Sequence, residues 1–244
     1  MLLGDAGSAG SIAGFVGARR AARPDRPWVM INIVASVDGA TALAGESRGL
    51  SGPPDREVFH QLRGVADAIL VGAGTVRADR YGPMRPRADV REARVARGQG
   101  EVAPIVIVSR SLGLDWSGPL FAEAEVPTIV AAPTDAPERE LAAAAAAGRV
   151  IRAGVGSVAL APVLGELAAD GHQSVVCEGG PGLIAQLASA DLIDELFVTI
   201  SPTLVSGSSH RALVGPELMP ARRLTLIAVL EATGFVFLRY EVPR

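Results

Sequence analysis

The chain has 244 residues and a formal net charge of −3, so it lacks the global basic field that recruits nucleic acid. Apolar residues make up 49% and charged residues 20%, the balance of a soluble globular protein rather than a disordered one. All 23 basic residues are arginine, which excludes Schiff-base lysine chemistry, and the lone Cys177 excludes internal disulfides and cysteine-rich zinc sites.

Residues 1–25 are rich in Gly, Ala and Ser, and Arg19, Arg20 and Arg23 follow their mildly apolar part, the reverse of a signal peptide's order. They are expected to form a mobile or loosely docked extension ahead of a single domain over 26–244. That domain opens with WVMINIVAS (28–36), a nearly continuous β-branched run that predicts a strand buried on both faces. Val37-Asp38-Gly39 turns the chain at its end. Pro53-Pro54 then opens a helix with Val58, Phe59, Leu62 and Val65 on one face and Arg56, His60 and Arg63 on the other. DAILV (67–71) predicts a second buried strand, and GAGTV (72–76) leads into a short helical turn through Asp79. From about Tyr81 to Ala103 the polar, Arg-rich, proline-punctuated sequence reads as a long surface excursion.

Regular alternation resumes with strands at IVIVS (105–109), PTIVAA (127–132), RVIRA (149–153) and SVVCE (174–178), and with helices through 142–147, 158–169 and about 182–189. ELFVTIS (195–201) is a further strand, and LTLIAVLEA (224–232) and FVFLRYEV (235–242) form a terminal hairpin around Thr233-Gly234. The expected fold class is therefore α/β: a mostly parallel central sheet with helices on both faces and an antiparallel C-terminal hairpin. No apolar run approaches the roughly 18 residues of a membrane span. With one cysteine and no span, the expected location is cytoplasmic and the expected partner a small molecule, with neither nucleic acid nor membrane.

Open parallel sheets bind ligands at the carboxyl ends of their strands, where the loops 36–51, 72–79 and 178–182 would gather. Two glycine elbows there, GAGTV and EGGPG, each leave a strand and enter a helix, and together they can grip a dinucleotide's pyrophosphate. Neither is a GxGxxG fingerprint nor a GxxxxGK[ST] phosphate loop. His172 and His210 form no pair with metal-ligand spacing, and Cys177 reads as an inert core thiol.

RPWVMINIVASVDGATA (26–42), GES (45–47), DAILVGAGTVRAD (67–79), EGGPGLIAQL (178–187) and DELFVTISPTLVSG (194–207), taken in order, resemble the reductase domain of riboflavin biosynthesis. The resemblance implies a dihydrofolate-reductase-like three-layer fold, a homodimer, and reduction of 5-amino-6-(5-phosphoribosylamino)uracil to the ribitylamino compound with NADPH. Many family members also carry a zinc deaminase domain, whose His-x-Glu and Pro-Cys-x-x-Cys are not found here. The chain is thus expected to be a stand-alone reductase.

By the same resemblance, the cofactor would be held by the backbone near Val34, by Thr75 and Asp79, by Ser109 and Arg110, and by Gly179, Gly180, Pro181, Gly182, Leu183 and Ile184, as far as Gln186. Arg110 suits the 2′-phosphate of NADPH. Substrate contacts fall on Ser47, Arg63, Arg85 and Glu178. Glu178 would point across the strand end toward the pyrimidine's donors, because a carboxylate accepts from N–H groups but repels phosphate. Asn32 stands where many members have lysine; it can donate a hydrogen bond but cannot titrate. Asn32, Asp38 and Glu178 make up the catalytic set, Asp38 as a proton-handling candidate whose default role is a turn carboxylate. Two alternatives stay open: a dihydrofolate reductase-type activity using Asp55 or Glu57 against the ring, and a non-catalytic NADPH-binding protein.

Overall fold

The β-branched runs set the frame. In the computed structural model, which describes residues 10–243, they form β1 (Trp28–Ser36), β2 (Ala68–Gly72), β3 (Ile105–Val108), β4 (Ile129–Ala132), β5 (Arg149–Arg152), β6 (Ser174–Cys177), β7 (Glu195–Ser201), β8 (Thr225–Ala232) and β9 (Phe235–Glu241). These nine strands make one sheet in the order β5-β4-β3-β2-β6-β1-β7-β9-β8. Pairing is parallel from β5 through to β7, and antiparallel for β7 with β9 and β9 with β8. This is the mixed architecture expected from the sequence. The helices are α1 (Ile12–Val16), α2 (Pro53–Val65), α3 (Ala73–Ala78), α4 (Ala88–Ala96), α5 (Pro119–Ala122), α6 (Glu138–Ala147), α7 (Leu160–Ala169) and α8 (Pro181–Ser189).

Strand side chains alternate between faces, so each central strand feeds two cores. Val29, Ile31, Leu70, Val175 and Cys177 pack against α7 and α8 through Val163, Leu167, Leu183 and Leu187. Met30, Ile69, Val71 and Val176 face the other way and meet Phe15, Val58, Leu62 and Val76 of α1, α2 and α3. Both faces are sealed, and fully burying each large aliphatic side chain contributes about 1.5–3 kcal/mol. The same alternation, carried past the core, fixes where the polar residues at the strand ends point.

Two segments differ from the sequence expectation. Residues 1–9 of the expected extension lie outside the described residues, but residues 11–26 are docked rather than loose. Phe15 is buried edge-on against Phe197 and Phe237, with ring centroids 5.7 and 6.0 Å away. Four arginines pin the segment to buried acids: Arg19 to Asp67, Arg20 to Glu195, and Arg23 and Arg26 to Asp194. The excursion at 81–103 contains α4, and its Arg94 is only 1% exposed. The Arg94 guanidinium donates to the carbonyls of Gly100, Arg63, Gly64 and Ala66, capping the C-terminal end of α2. Burial lowers its pKa to about 10, with Asp67 opposing the shift.

Candidate active site

A cleft of about 1100 Å³ lies at the carboxyl ends of β1, β2, β3 and β6. Strand parity divides its wall. Val176 faces α2, so Glu178, two residues on, turns to the same side; Met30 likewise sets Asn32 toward α2. α8, which follows the EGGPG elbow, packs on the opposite face.

On the α2 side, Glu178 is 3% exposed and forms a bidentate pair with Arg63, Nε to Oε1 at 2.7 Å and Nη2 to Oε2 at 2.8 Å. The Tyr81 hydroxyl donates to Oε2 at 2.7 Å. The Arg63 guanidinium also lies 4.1 Å from the centre of the Phe59 ring. Burial works against the charge of Arg63, yet the Glu178 carboxylate outweighs it and raises the arginine's pKa. Burial and the adjacent Glu178 charge hold the Tyr81 phenol well above its usual range, so it stays a protonated donor. Arg63 and Glu178, expected as separate substrate contacts, therefore anchor each other, and the carboxylate is held at the cleft wall. Tyr81 was missed by sequence reasoning. The only signal was an aromatic residue two positions beyond the TVRAD turn.

Asn32 lines the cleft with its Oδ1 buried and without a hydrogen-bond partner among the described residues. A buried acceptor left unpaired costs about 1–3 kcal/mol, and a ligand donor would remove that cost. Asp55, on the first turn of α2, is also on the cleft wall, whereas Glu57 accepts from Gln61 and is not.

On the other side the two elbows are joined, Gly72 N donating to the Gly179 carbonyl at 2.7 Å. Gly179 has φ +96°, a conformation that favours glycine. A Cβ on Gly180 would come within 2.7 Å of the Thr75 hydroxyl oxygen. Neither α3 nor α8 has a side-chain cap among the described residues, Pro181 occupies the first turn of α8, and Gly182 and Leu183 line the cleft. Val34, Thr75, Asp79, Ser109, Arg110, Ile184 and Gln186 also line the cleft. Ser109 is buried and accepts from Leu112 N, while Arg110 is exposed with no ion pair among the described residues. This side fits a dinucleotide: a glycine cradle, uncapped helix amides and a free guanidinium. The Asp79 carboxylate also fixes Ser47, accepting from its amide at 3.3 Å and from its hydroxyl at 3.0 Å.

Two expected residues stand off the cleft wall. Asp38 accepts from the Ser36 hydroxyl and from the Val205 and Ser206 amides, clamping two loops together. Those bonds, the Ser36 one foremost, lower its pKa to about 2. Arg85 is an exposed residue paired with Glu123 at 2.5 Å. Burial pushes the Cys177 thiol up to about 12, leaving it inert at neutral pH.

The RibD C-terminal domain family matches residues 27–235. A 2,5-diamino-6-ribosylamino-4(3H)-pyrimidinone 5′-phosphate reductase of Methanothermobacter thermautotrophicus is 32% identical over 79% of this chain and 85% of its own length. The Aquifex aeolicus protein of the same name is 31% identical over 79% and 84%. Among solved structures, a pyrimidine reductase-like protein of Corynebacterium diphtheriae superposes with a TM-score of 0.80 at 27% identity, covering 90% of this chain and 93% of that one.

Proposed function

The chain belongs to the RibD C-terminal domain family, whose similar members are named pyrimidine reductases, and on that premise we propose that it reduces a 6-(5-phosphoribosylamino)pyrimidine with NADPH. The ribosylamino group would become a ribitylamino group; the ring is the uracil form or its 2,5-diamino counterpart. The observation that carries this reading is the partition of the cleft: acceptors wanting donors on the α2 side, and a glycine cradle with open amides on the α8 side.

NADPH, when bound, supplies the hydride that C1′ of the opened ribosylamine takes up. The chain's own residues orient and bind. Gly180, Gly182 and the first-turn amides of α8 would hold the pyrophosphate, and Arg110 would select the 2′-phosphate. Glu178 keeps one lone pair, on Oε1, for a pyrimidine N–H donor while Arg63 and Tyr81 prevent it from turning. Asn32 adds an acceptor on the α2 side and cannot itself deliver a proton. The substrate phosphate falls to Arg48 and Arg56, which line the cleft without ion pairs among the described residues, since Arg63 is committed to Glu178. The same reading makes the enzyme a cytoplasmic homodimer.

The test follows reduced-nicotinamide absorbance when purified protein and NADPH meet the two phosphoribosylamino-pyrimidines and, separately, dihydrofolate. Oxidation with a phosphoribosylamino-pyrimidine is the expected result. Oxidation with dihydrofolate alone, or with none of the three, would overturn the assignment.

A further inference from the structure

The last turn of α2 carries Arg63, and one short stretch of the excursion at 81–103 takes up the carbonyls of that turn. A helix end leaves its final carbonyls without intrahelical partners, and water or a following glycine commonly completes them. Here side chains do so. The carbonyls of Arg63 and Ala66 accept from Arg94 Nη1 at 3.1 and 2.6 Å. That of Gly64 accepts from Arg94 Nη1 at 3.2 Å and from Arg97 Nη2 at 2.8 Å, and that of Val65 accepts from Gln99 Nε2 at 3.1 Å. Arg94 is buried and forms no ion pair among the described residues, so its charge is met by carbonyl oxygens. A buried charge without a carboxylate is a costly way to end a helix.

The same excursion also reaches the partner of Arg63. Gln99 Nε2 donates to Asp67 Oδ1 at 2.7 Å, and Asp67 Oδ2 accepts the Gln173 and Ser174 amides at 2.8 and 2.9 Å. Ser174 opens β6, and Glu178 directly follows that strand. At the near end of the excursion, the Tyr81 hydroxyl donates to Glu178 Oε2 at 2.7 Å. One segment thus holds the backbone of Arg63, the start of the strand that leads to Glu178, and the Glu178 carboxylate itself.

We propose that the excursion at 81–103 positions the pyrimidine-binding carboxylate, and that Arg94 is its principal positioning residue: by fixing the last turn of α2, Arg94 sets where the Arg63 guanidinium holds Glu178. Arg94 does not line the cleft, so its effect passes through Arg63. A bidentate pair is specific in geometry as well as in charge, and a shifted helix turn would tilt or lengthen it. A misplacement of about 1 Å caused by a change far from the chemistry can cost on the order of 10²-fold in rate. α8 packs on the opposite face of the sheet, so the nucleotide half is spared. The inference rests on the pyrimidine-reductase reading for what the carboxylate binds, but not for the positioning itself.

Two substitutions provide the test. Arg94→Met keeps a long apolar stem but removes every donor, whereas Arg94→Lys keeps the charge without the planar fork. Three quantities are compared with the wild type: the pyrimidine KM, NADPH dissociation, and the Nε–H resonance of Arg63 in ¹⁵N NMR spectra, assigned as the signal lost in Arg63→Lys. Arg94→Met is expected to raise the pyrimidine KM on the order of tenfold, to leave NADPH dissociation unchanged, and to shift the Arg63 signal and speed its exchange with water. Arg94→Lys is expected to fall between the two, and it decides by the same criteria if Arg94→Met does not fold. An unchanged KM and Arg63 signal, with only the thermal midpoint lowered, would reduce Arg94 to a helix cap and overturn the proposal. Equal weakening of NADPH and pyrimidine would overturn it as well. An altered Arg63 signal in a chain that turns over neither phosphoribosylamino-pyrimidine would sustain the positioning role while removing the reductase assignment. Wild-type turnover with a KM and a signal indifferent to Arg94 would do the reverse.

Discussion

At the scale of single residues, the site is a set of side chains whose partners decide what each can do. Asp38 illustrates this most sharply. Its carboxyl, lowered to about 2 by the Ser36 hydroxyl and two loop amides, is ionised throughout the neutral range. A group with a depressed pKa stays charged above its ordinary value and loses that charge only as pH falls through the depressed one. Asp38 therefore has no proton to offer near pH 7, and Asp38→Asn is expected to leave the shape of the kcat–pH profile between pH 5 and 9 unchanged. Loss of a limb of that profile would return Asp38 to the chemistry. Its default role as a turn carboxylate was readable from Val37-Asp38-Gly39 alone. Glu178 was legible as a cleft residue because it stands one position beyond an apolar strand and before a glycine elbow. Its bidentate partner Arg63 was legible only as a helix-face arginine, since 115 residues separate the two and no local pattern records the pairing.

At the scale of elements, the strands and the long helices were readable because each carries its own period of two or a continuous apolar run, and the two glycine elbows mark their own turns. The five-residue α1 was not. Its amphipathic pattern is too short to register, and its stability comes from Phe15 on β7 and β9 and from ion pairs to acids up to 175 residues away. α4 was hidden for a related reason: its arginines read as solvated, while Arg94 is consumed by carbonyls at the end of α2. Asp194 shows how strongly the N-terminal segment is held. Burial opposes its ionisation, but Arg26, the Val29 amide and Arg23 outweigh this and hold the carboxyl below its usual range. The stabilisation it gives is thus fully present above the ordinary carboxylate range and is lost as pH falls through the lowered value. Asp194→Ala leaves Arg26 buried without its carboxylate and is expected to cost about 3–5 kcal/mol, read as a shift of the urea midpoint at pH 7. A loss below about 1 kcal/mol, the scale of an exposed pair, would show that the arginines do not staple the segment.

At the scale of the whole molecule, one sheet would sort the two ligands of the proposed reaction. Because β1 and β6 alternate their side chains between the α2 and α8 cores, the polar residues at their ends inherit that alternation. Asn32 and Glu178 turn toward α2, and the glycines that follow Glu178 lead into α8 on the far side. This answers why a carboxylate can stand beside a cradle suited to phosphate: the two face different halves of the cleft. The sequence carries the parity and the elbow, but not the cleft's width or the joining of Gly72 to Gly179, which depend on sheet order. The most direct test of this division measures NADPH dissociation and pyrimidine KM in Gly180→Ala and Glu178→Gln. With the Gly180 Cβ forced against Thr75, the first variant is expected to weaken NADPH binding at least about tenfold, the loss of roughly one hydrogen bond's worth of fit. The second is expected to raise the pyrimidine KM by a similar factor while NADPH dissociation stays unchanged. If Glu178→Gln weakened NADPH as much as it weakened the pyrimidine, or Gly180→Ala left NADPH binding intact, the two-sided cleft would be contradicted.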